Sequence, residues 1–117
     1  MKSGELGKKG EDMARRHYEK AGYHVLKMNY RTRMGEIDLI AEKNSVYVFC
    51  EVKTRHVGPY EPKEAVTKGK QRRIMLAAQH YVAAELGREV NMRFDVAEIV
   101  VQGKQMLFRC TENAFSF

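Results

Sequence analysis

Cysteine and proline are scarce in this chain, and neither is placed to do chemistry. The two cysteines, Cys50 and Cys110, sit in apolar, strand-like runs and read as reduced core residues. No His/Cys spacing resembles a zinc site. Both prolines, Pro59 and Pro62, fall with Gly58 in residues 56–64, which marks that stretch as a loop. No apolar run approaches the length of a membrane span, and no signal peptide precedes the first expected helix, so a cytoplasmic location without membrane contact is expected. Repeats, low-complexity tracts and internal linkers are missing too. Residues 1–117 are therefore expected to form a single domain, large enough for a core without disulfides or structural metal. Acidic residues are the minority charge, 15 against 21 Lys and Arg, for a formal net charge of +6 that suits a polyanionic partner.

What the chain does have is concentrated in residues 35–55, GEIDLIAEKNSVYVFCEVKTR. Two apolar runs with β-branched enrichment flank Asn44-Ser45, the pattern of a two-residue β-hairpin. Pairing Lys43 with Val46 and counting outward sets Asp38 opposite Glu51. Alternation then puts Ile37, Leu39, Ala41, Val46, Val48, Cys50 and Val52 on one face. Glu36, Asp38, Ile40, Glu42, Tyr47, Phe49, Glu51 and Lys53 fall on the other. Carboxylates directly opposed across two strands, with Cβ atoms about 5 Å apart, repel one another. A hard divalent cation removes that repulsion, and Mg²⁺ is commonly held by one or two carboxylates with waters and phosphates. Lys53 lies about 7 Å beyond Glu51 along the strand, in reach of a water or a phosphate oxygen. The competing reading is a solvated hairpin face carrying a Lys53–Glu51 pair.

Around the hairpin, residues 4–21 read as an amphipathic helix closed by Gly22. Leu6, Gly7, Gly10, Met13, Ala14, His17, Tyr18 and Ala21 lie on its inner arc, and Glu11 at the margin. Residues 23–31 form a first strand, in which His24 reads as a partly buried structural histidine. Arg31 and Arg33 in the basic connector 29–34 either hold phosphates or neutralise Glu36 and Glu42. Residues 67–86 form a second helix, with Thr67 as N-cap and Gly87 after its end. Lys70 is on the inward side of that helix near its N-terminus. A closing hairpin spans 92–101 and 104–111 about Gln102-Gly103. Residues 31–73 hold ten of the 21 basic side chains, with Lys68, Lys70, Arg72 and Arg73 within six positions; this suits a phosphate backbone near the chemistry.

Asp, then a strand turn, then Glu-x-Lys resembles the active-site signature of the PD-(D/E)xK nucleases, the restriction-endonuclease-like fold. The whole chain resembles the YraN family of bacterial proteins, on GKKGEDMA (7–14), NYR (29–31), GEIDLI (35–40), VFCEVKTR (48–55), the Lys70 helix and RFDV (93–96). It is also similar in size and order of elements to archaeal Holliday-junction resolvases. Ile37 stands where the superfamily's name puts proline. The resemblance implies an α/β fold in the order α-β-β-β-α-β-β, with a mixed central sheet flanked by helices. It also implies a metal-dependent endonuclease acting on DNA, with branched or structured DNA among its substrates. Asp38 and Glu51 would hold Mg²⁺ or Mn²⁺, helped by the Val52 carbonyl and by Glu11 directly or through water. Lys53 would orient the attacking water. Arg31, Arg33, Arg55, Lys68, Lys70, Arg72 and Arg73 would contact nucleic acid, and a homodimer is expected by analogy. The alternative is a non-catalytic nucleic-acid-binding module that retains the nuclease fold.

Overall fold

The computed structural model describes residues 3–57 and 66–117; most of the 56–64 loop, with Tyr60, lies outside them. In chain order the elements are helix α1 (Ser3–Lys20), strands β1 (His24–Arg31), β2 (Glu36–Lys43) and β3 (Val46–His56), helix α2 (Lys68–Tyr81) continued by a π-helical turn (Val82–Leu86), and strands β4 (Asn91–Gln102) and β5 (Gln105–Phe115). The strands form one sheet in the order β1-β2-β3-β4-β5. All pairs are antiparallel except β3 and β4, which run parallel. A parallel neighbour requires a crossover, and the segment containing α2 supplies it. This is the mixed α/β architecture and the order expected of a restriction-endonuclease-like fold.

Local signals place the boundaries. Gly22 and Gly87 adopt φ of +89° and +65°, the left-handed region that ends helices. Thr67 caps α2, its Oγ1 accepting from the Lys70 N–H at 3.2 Å. Asn44 and Ser45 both have positive φ, +51° and +66°, as a two-residue hairpin turn demands. The second hairpin turns one residue later than expected, about Gly103-Lys104.

Both faces of the sheet are core. Ala14 and Tyr18 of α1 pack on Leu39, Ala41, Val48, Cys50 and Ala97. Ile74, Ala77, Ala78 and Tyr81 of α2 pack on Ile37, Ile40, Tyr47, Phe49 and Phe94. This corrects the assignment of one hairpin face to core and the other to the site. It also moves Ile37 to the α2 side, away from Leu39. Asn29, with φ of +54°, interrupts the alternation of β1 at this point. Beyond it, Tyr30 and its partner Ile37 turn toward α2, while Met28 and its partner Leu39 face α1. In α1 the buried residues are Leu6, Gly10, Ala14 and Tyr18; Ala21 lies past the helix end and is exposed, as is His24. The rings of Phe115 and Phe117 pack back on Phe94 at 5.3 and 5.5 Å.

One polar network lies inside this core. Asp95 is fully buried and accepts from Arg93 Nε and Nη2, both at 2.9 Å, from Tyr18 Oη at 2.6 Å, and from the Asn113 N–H at 2.9 Å. Asn113 reaches it because β5 bulges there, with φ of +52°. Asp95 thus ties α1 and the end of β5 to β4. Burial pushes the Tyr18 hydroxyl pKa up, and the charge of Asp95 adds to it, so Tyr18 stays protonated and donating. Removing one partner of a buried charge pair strands the other. Asp95→Ala is therefore expected to lower stability by about 3 kcal/mol, read as a shift of the guanidinium midpoint. An unchanged midpoint would show that the network holds nothing together.

Candidate active site

The site begins where the hairpin stops pairing. The β2–β3 ladder runs from Lys43↔Val46 to Leu39↔Cys50, in the register counted from the turn. One step further stand Asp38 and Glu51. There the Val52 N–H donates to Asp38 Oδ2 at 2.7 Å. A cavity of about 690 Å³ opens at this point, lined on one side by Gly35, Glu36, Asp38, Glu51 and Val52 and on the other by the start of α2 with Thr67, Gly69, Lys70, Arg73 and Ile74. Gly35 allows the two walls to approach, since a Cβ there would come within 2.9 Å of the Arg73 carbonyl oxygen. Behind the site, Gly10 lets α1 lie against Ile99 and Val52, where a Cβ would meet them at 2.9 and 3.4 Å.

The electrostatics are those of two carboxylates held together out of water. Glu51 is only 6% exposed. Burial first, then the charge of Glu51, pushes the Asp38 pKa up to about 7, with Glu11 and Glu36 adding to the rise and the Val52 N–H opposing it. Lys70 answers part of this charge, its Nζ lying 2.8 Å from Glu51 Oε1.

The donors are all hard oxygens, which suits Mg²⁺ or Mn²⁺. Among the described residues no three His, Cys, Asp or Glu side chains form a ready ligand group. An ion here would thus rest on Asp38 and Glu51, with further oxygens from the Val52 carbonyl, water or a phosphate. Asp38, whose ionisation is disfavoured by burial and by the neighbouring Glu51 charge, fits such a cation, which would relieve both costs at once.

The expected residues divide into groups. Asp38, Glu51, Val52, Lys70 and Arg73 line this cavity. Glu11 borders the adjoining cleft with Lys8, Lys9 and Asn29, whose Nδ2 donates to Glu11 Oε1 at 3.1 Å; its charge still reaches Asp38. Lys53 borders a different hollow, with Val66, Gln71, Val96, Glu98 and Phe115, and stands opposite Glu98 in the parallel ladder. Arg55 pairs with Glu98 at 3.4 Å. Arg31 pairs with Glu36 at 3.5 Å. Arg33, Lys68 and Arg72 are exposed around the start of α2 and the β1–β2 connection. Glu36 was missed as a site carboxylate. Its position two residues before Asp38 was the available signal.

The raised Asp38 pKa has a definite consequence for stability. A carboxylate titrating higher in the folded state than in the unfolded chain binds more protons when folded. Its ionisation therefore costs stability progressively as pH rises from about 4 to about 7, and the full cost remains above that. Asp38→Asn keeps an oxygen to accept from Val52 and removes the charge. In EDTA the variant should melt above the wild type at pH 8.5, and the gap should narrow as pH falls below about 7 and close only near pH 4. A gap independent of pH would rule out a strained carboxylate.

Residues 10–99 match the profile of the Uncharacterised protein family UPF0102. Relatives carrying the name UPF0102 protein include one from Alkaliphilus metalliredigens, 43% identical over 111 residues that cover 94% of this chain and 96% of that protein. Another, from Chloroherpeton thalassium, is 47% identical over 97 residues, covering 82% of this chain and 75% of that protein. A third, from Alkaliphilus oremlandii, is 42% identical over 113 residues. The matched span takes in the residues that line the cavity, with Asp38, Glu51 and Lys70, and the buried Asp95, while Asn113 of the Asp95 network lies beyond it. The chain belongs to the UPF0102 family.

Proposed function

We propose that this chain is a Mg²⁺- or Mn²⁺-dependent nuclease of the PD-(D/E)xK class, hydrolysing phosphodiester bonds in DNA, with branched DNA as the favoured substrate by likeness to archaeal resolvases. The observation that carries the reading is the convergence of Asp38 and Glu51, from two antiparallel strands, on one cavity where their mutual charge is costly. A protein that only bound nucleic acid would gain nothing from such a pair.

When bound, the ion supplies Lewis-acid polarisation of the phosphate and a lowered pKa for the attacking water. Asp38 and Glu51 hold it in place. The Val52 N–H holds the Asp38 carboxylate, so the strand itself orients the ligand. Lys70 and Arg73 on the opposite wall meet the phosphodiester, and the exposed Lys68, Arg72 and Arg33 continue a basic surface outward for flanking phosphates. Lys53, one pleat beyond Glu51, stabilises charge developing on the phosphate and orients the water. No helix of the described residues is long and apolar enough to cross a membrane.

One observation favours a second reading, the non-catalytic binding module: Lys53 borders the neighbouring hollow beside Glu98. Cleavage assays on single-stranded, duplex, flap and four-way DNA with Mg²⁺ and Mn²⁺ separate the two. Cleavage is expected on at least one of these, abolished by Asp38→Asn. Lys53→Ala should keep DNA affinity and lose about 10²–10³ in rate, since its contact is made mainly in the transition state. Salt-sensitive binding with no cleavage of any substrate would establish the binding module. Wild-type rates in Lys53→Ala would end the role given to that lysine.

A further inference from the structure

The wall that faces the carboxylates has a construction the hydrolytic reading does not use. Lys70 Nζ sits 2.8 Å from Glu51 Oε1, yet the two ends of the pair differ greatly in freedom. The Glu51 side chain is 7% exposed and the Lys70 side chain 47%. Glu51 is thus fixed by the packing of β3, while the lysine stem lies half in the open cavity. Beside it Gly69 carries no side chain, and a Cβ there would meet nothing within 4 Å. The backbone of α2, by contrast, cannot retreat. It is capped by Thr67 through the Lys70 N–H and lies against Gly35 at Arg73. Any change in the Lys70–Glu51 contact must come from rotation of the lysine side chain.

Resting on the reading of Asp38 and Glu51 as metal ligands, we infer that Lys70 is an exchangeable counter-ion that couples metal binding to phosphate binding. Without a divalent ion it neutralises Glu51. When the ion settles between the carboxylates, two like charges meet at contact distance and the ammonium is driven off. Its open side faces the cavity, where a phosphodiester oxygen is the ligand a displaced ammonium finds. The released lysine thus binds substrate only after the metal is in place. The metal in turn binds more weakly than it otherwise would, because it must displace a cation already there. By linkage the phosphate strengthens the metal by the same factor as the metal strengthens the phosphate. Such an order would keep the metal-free protein from holding DNA unproductively at this cavity. It assigns Lys70 a positioning role distinct from the general phosphate contact expected of the basic cluster.

The test uses the full chain and reads binding, not cleavage. Mn²⁺ affinity is measured by calorimetry for the wild type, Lys70→Gln and Arg72→Gln. Arg72 lies on the same helical turn and removes the same charge without bordering the cavity. Lys70→Gln should bind Mn²⁺ about tenfold more tightly, within the range usual for such couplings, and Arg72→Gln should stay near the wild type. In parallel, binding of a four-way DNA is measured in Ca²⁺ and in EDTA. The wild type should gain about tenfold from the cation, and Lys70→Gln should lose most of that gain. Lys70→Met, which keeps the aliphatic stem, repeats both measurements should the glutamine variant fold poorly. Equal Mn²⁺ affinities in wild type and variants, with the DNA gain intact, would overturn the exchange while leaving the metal site standing. No Mn²⁺ binding by any of the proteins would sink the metal reading itself, and the exchange with it.

Discussion

The arrangement turns on two carboxylates that the fold pushes together out of water. Leu39 ends β2's pairing with β3, Asp38 and Glu51 stand one step beyond it, and burial and the charge of Glu51 make the ionisation of Asp38 costlier. Proteins do not keep such a pair for stability, because apolar residues would fill the same space at lower cost. The surrounding construction makes sense as support for it. Gly35 admits α2, Thr67 caps α2 where Lys70 reaches Glu51, and the Val52 N–H steadies Asp38.

Asp95 shows what a buried carboxylate looks like when it is structural. It lies deeper than Asp38, at 0% exposure, yet its oxygens accept from Arg93, Tyr18 and Asn113. Tyr18 ties α1 to β4 and Asn113 ties β5 to β4, while Arg93, on β4 itself, balances the charge. The environment of Asp38 is instead crowded with like charge from Glu51, Glu11 and Glu36. The same side chain is thus put to opposite uses within one sheet. The contrast separates scaffold from site by charge balance, without appeal to depth of burial.

The basic residues divide on similar grounds. Arg31 and Arg55 are tied to Glu36 and Glu98, so their charge is partly spent within the protein. Lys70 and Arg73 stand on the cavity wall, and Lys68 and Arg72 face solvent beside them. A polyanion approaching the start of α2 therefore meets a concentrated positive edge that leads to the carboxylates. The hollow holding Lys53 lies further along β3, bounded by β4 and β5, so the signature lysine and the helix lysine approach from different sides.

Much was legible in the sequence because it depends on near neighbours. The hairpin register followed from Asn44-Ser45 and period-2 alternation, the helix ends from Gly22, Thr67 and Gly87, and the proximity of Asp38 to Glu51 from counting residues outward from the turn. These are local rules, and local geometry obeyed them. What alternation could not supply was the flip at Asn29. Tyr30, just past the left-handed Asn29, and its partner Ile37 lie on the α2 side, and nothing in a period-2 pattern announces it. Nor could strand spacing place Lys53 and Lys70 relative to the cavity. They lie 17 positions apart, on a strand and on the crossover helix, and only the packing of α2 against Gly35 brings Lys70 to Glu51. Sequence alone determined which charges would share a strand face. The tertiary structure decided which cation reaches them, because that contact depends on how closely a helix can approach a sheet, set here by a glycine with no side chain in the way.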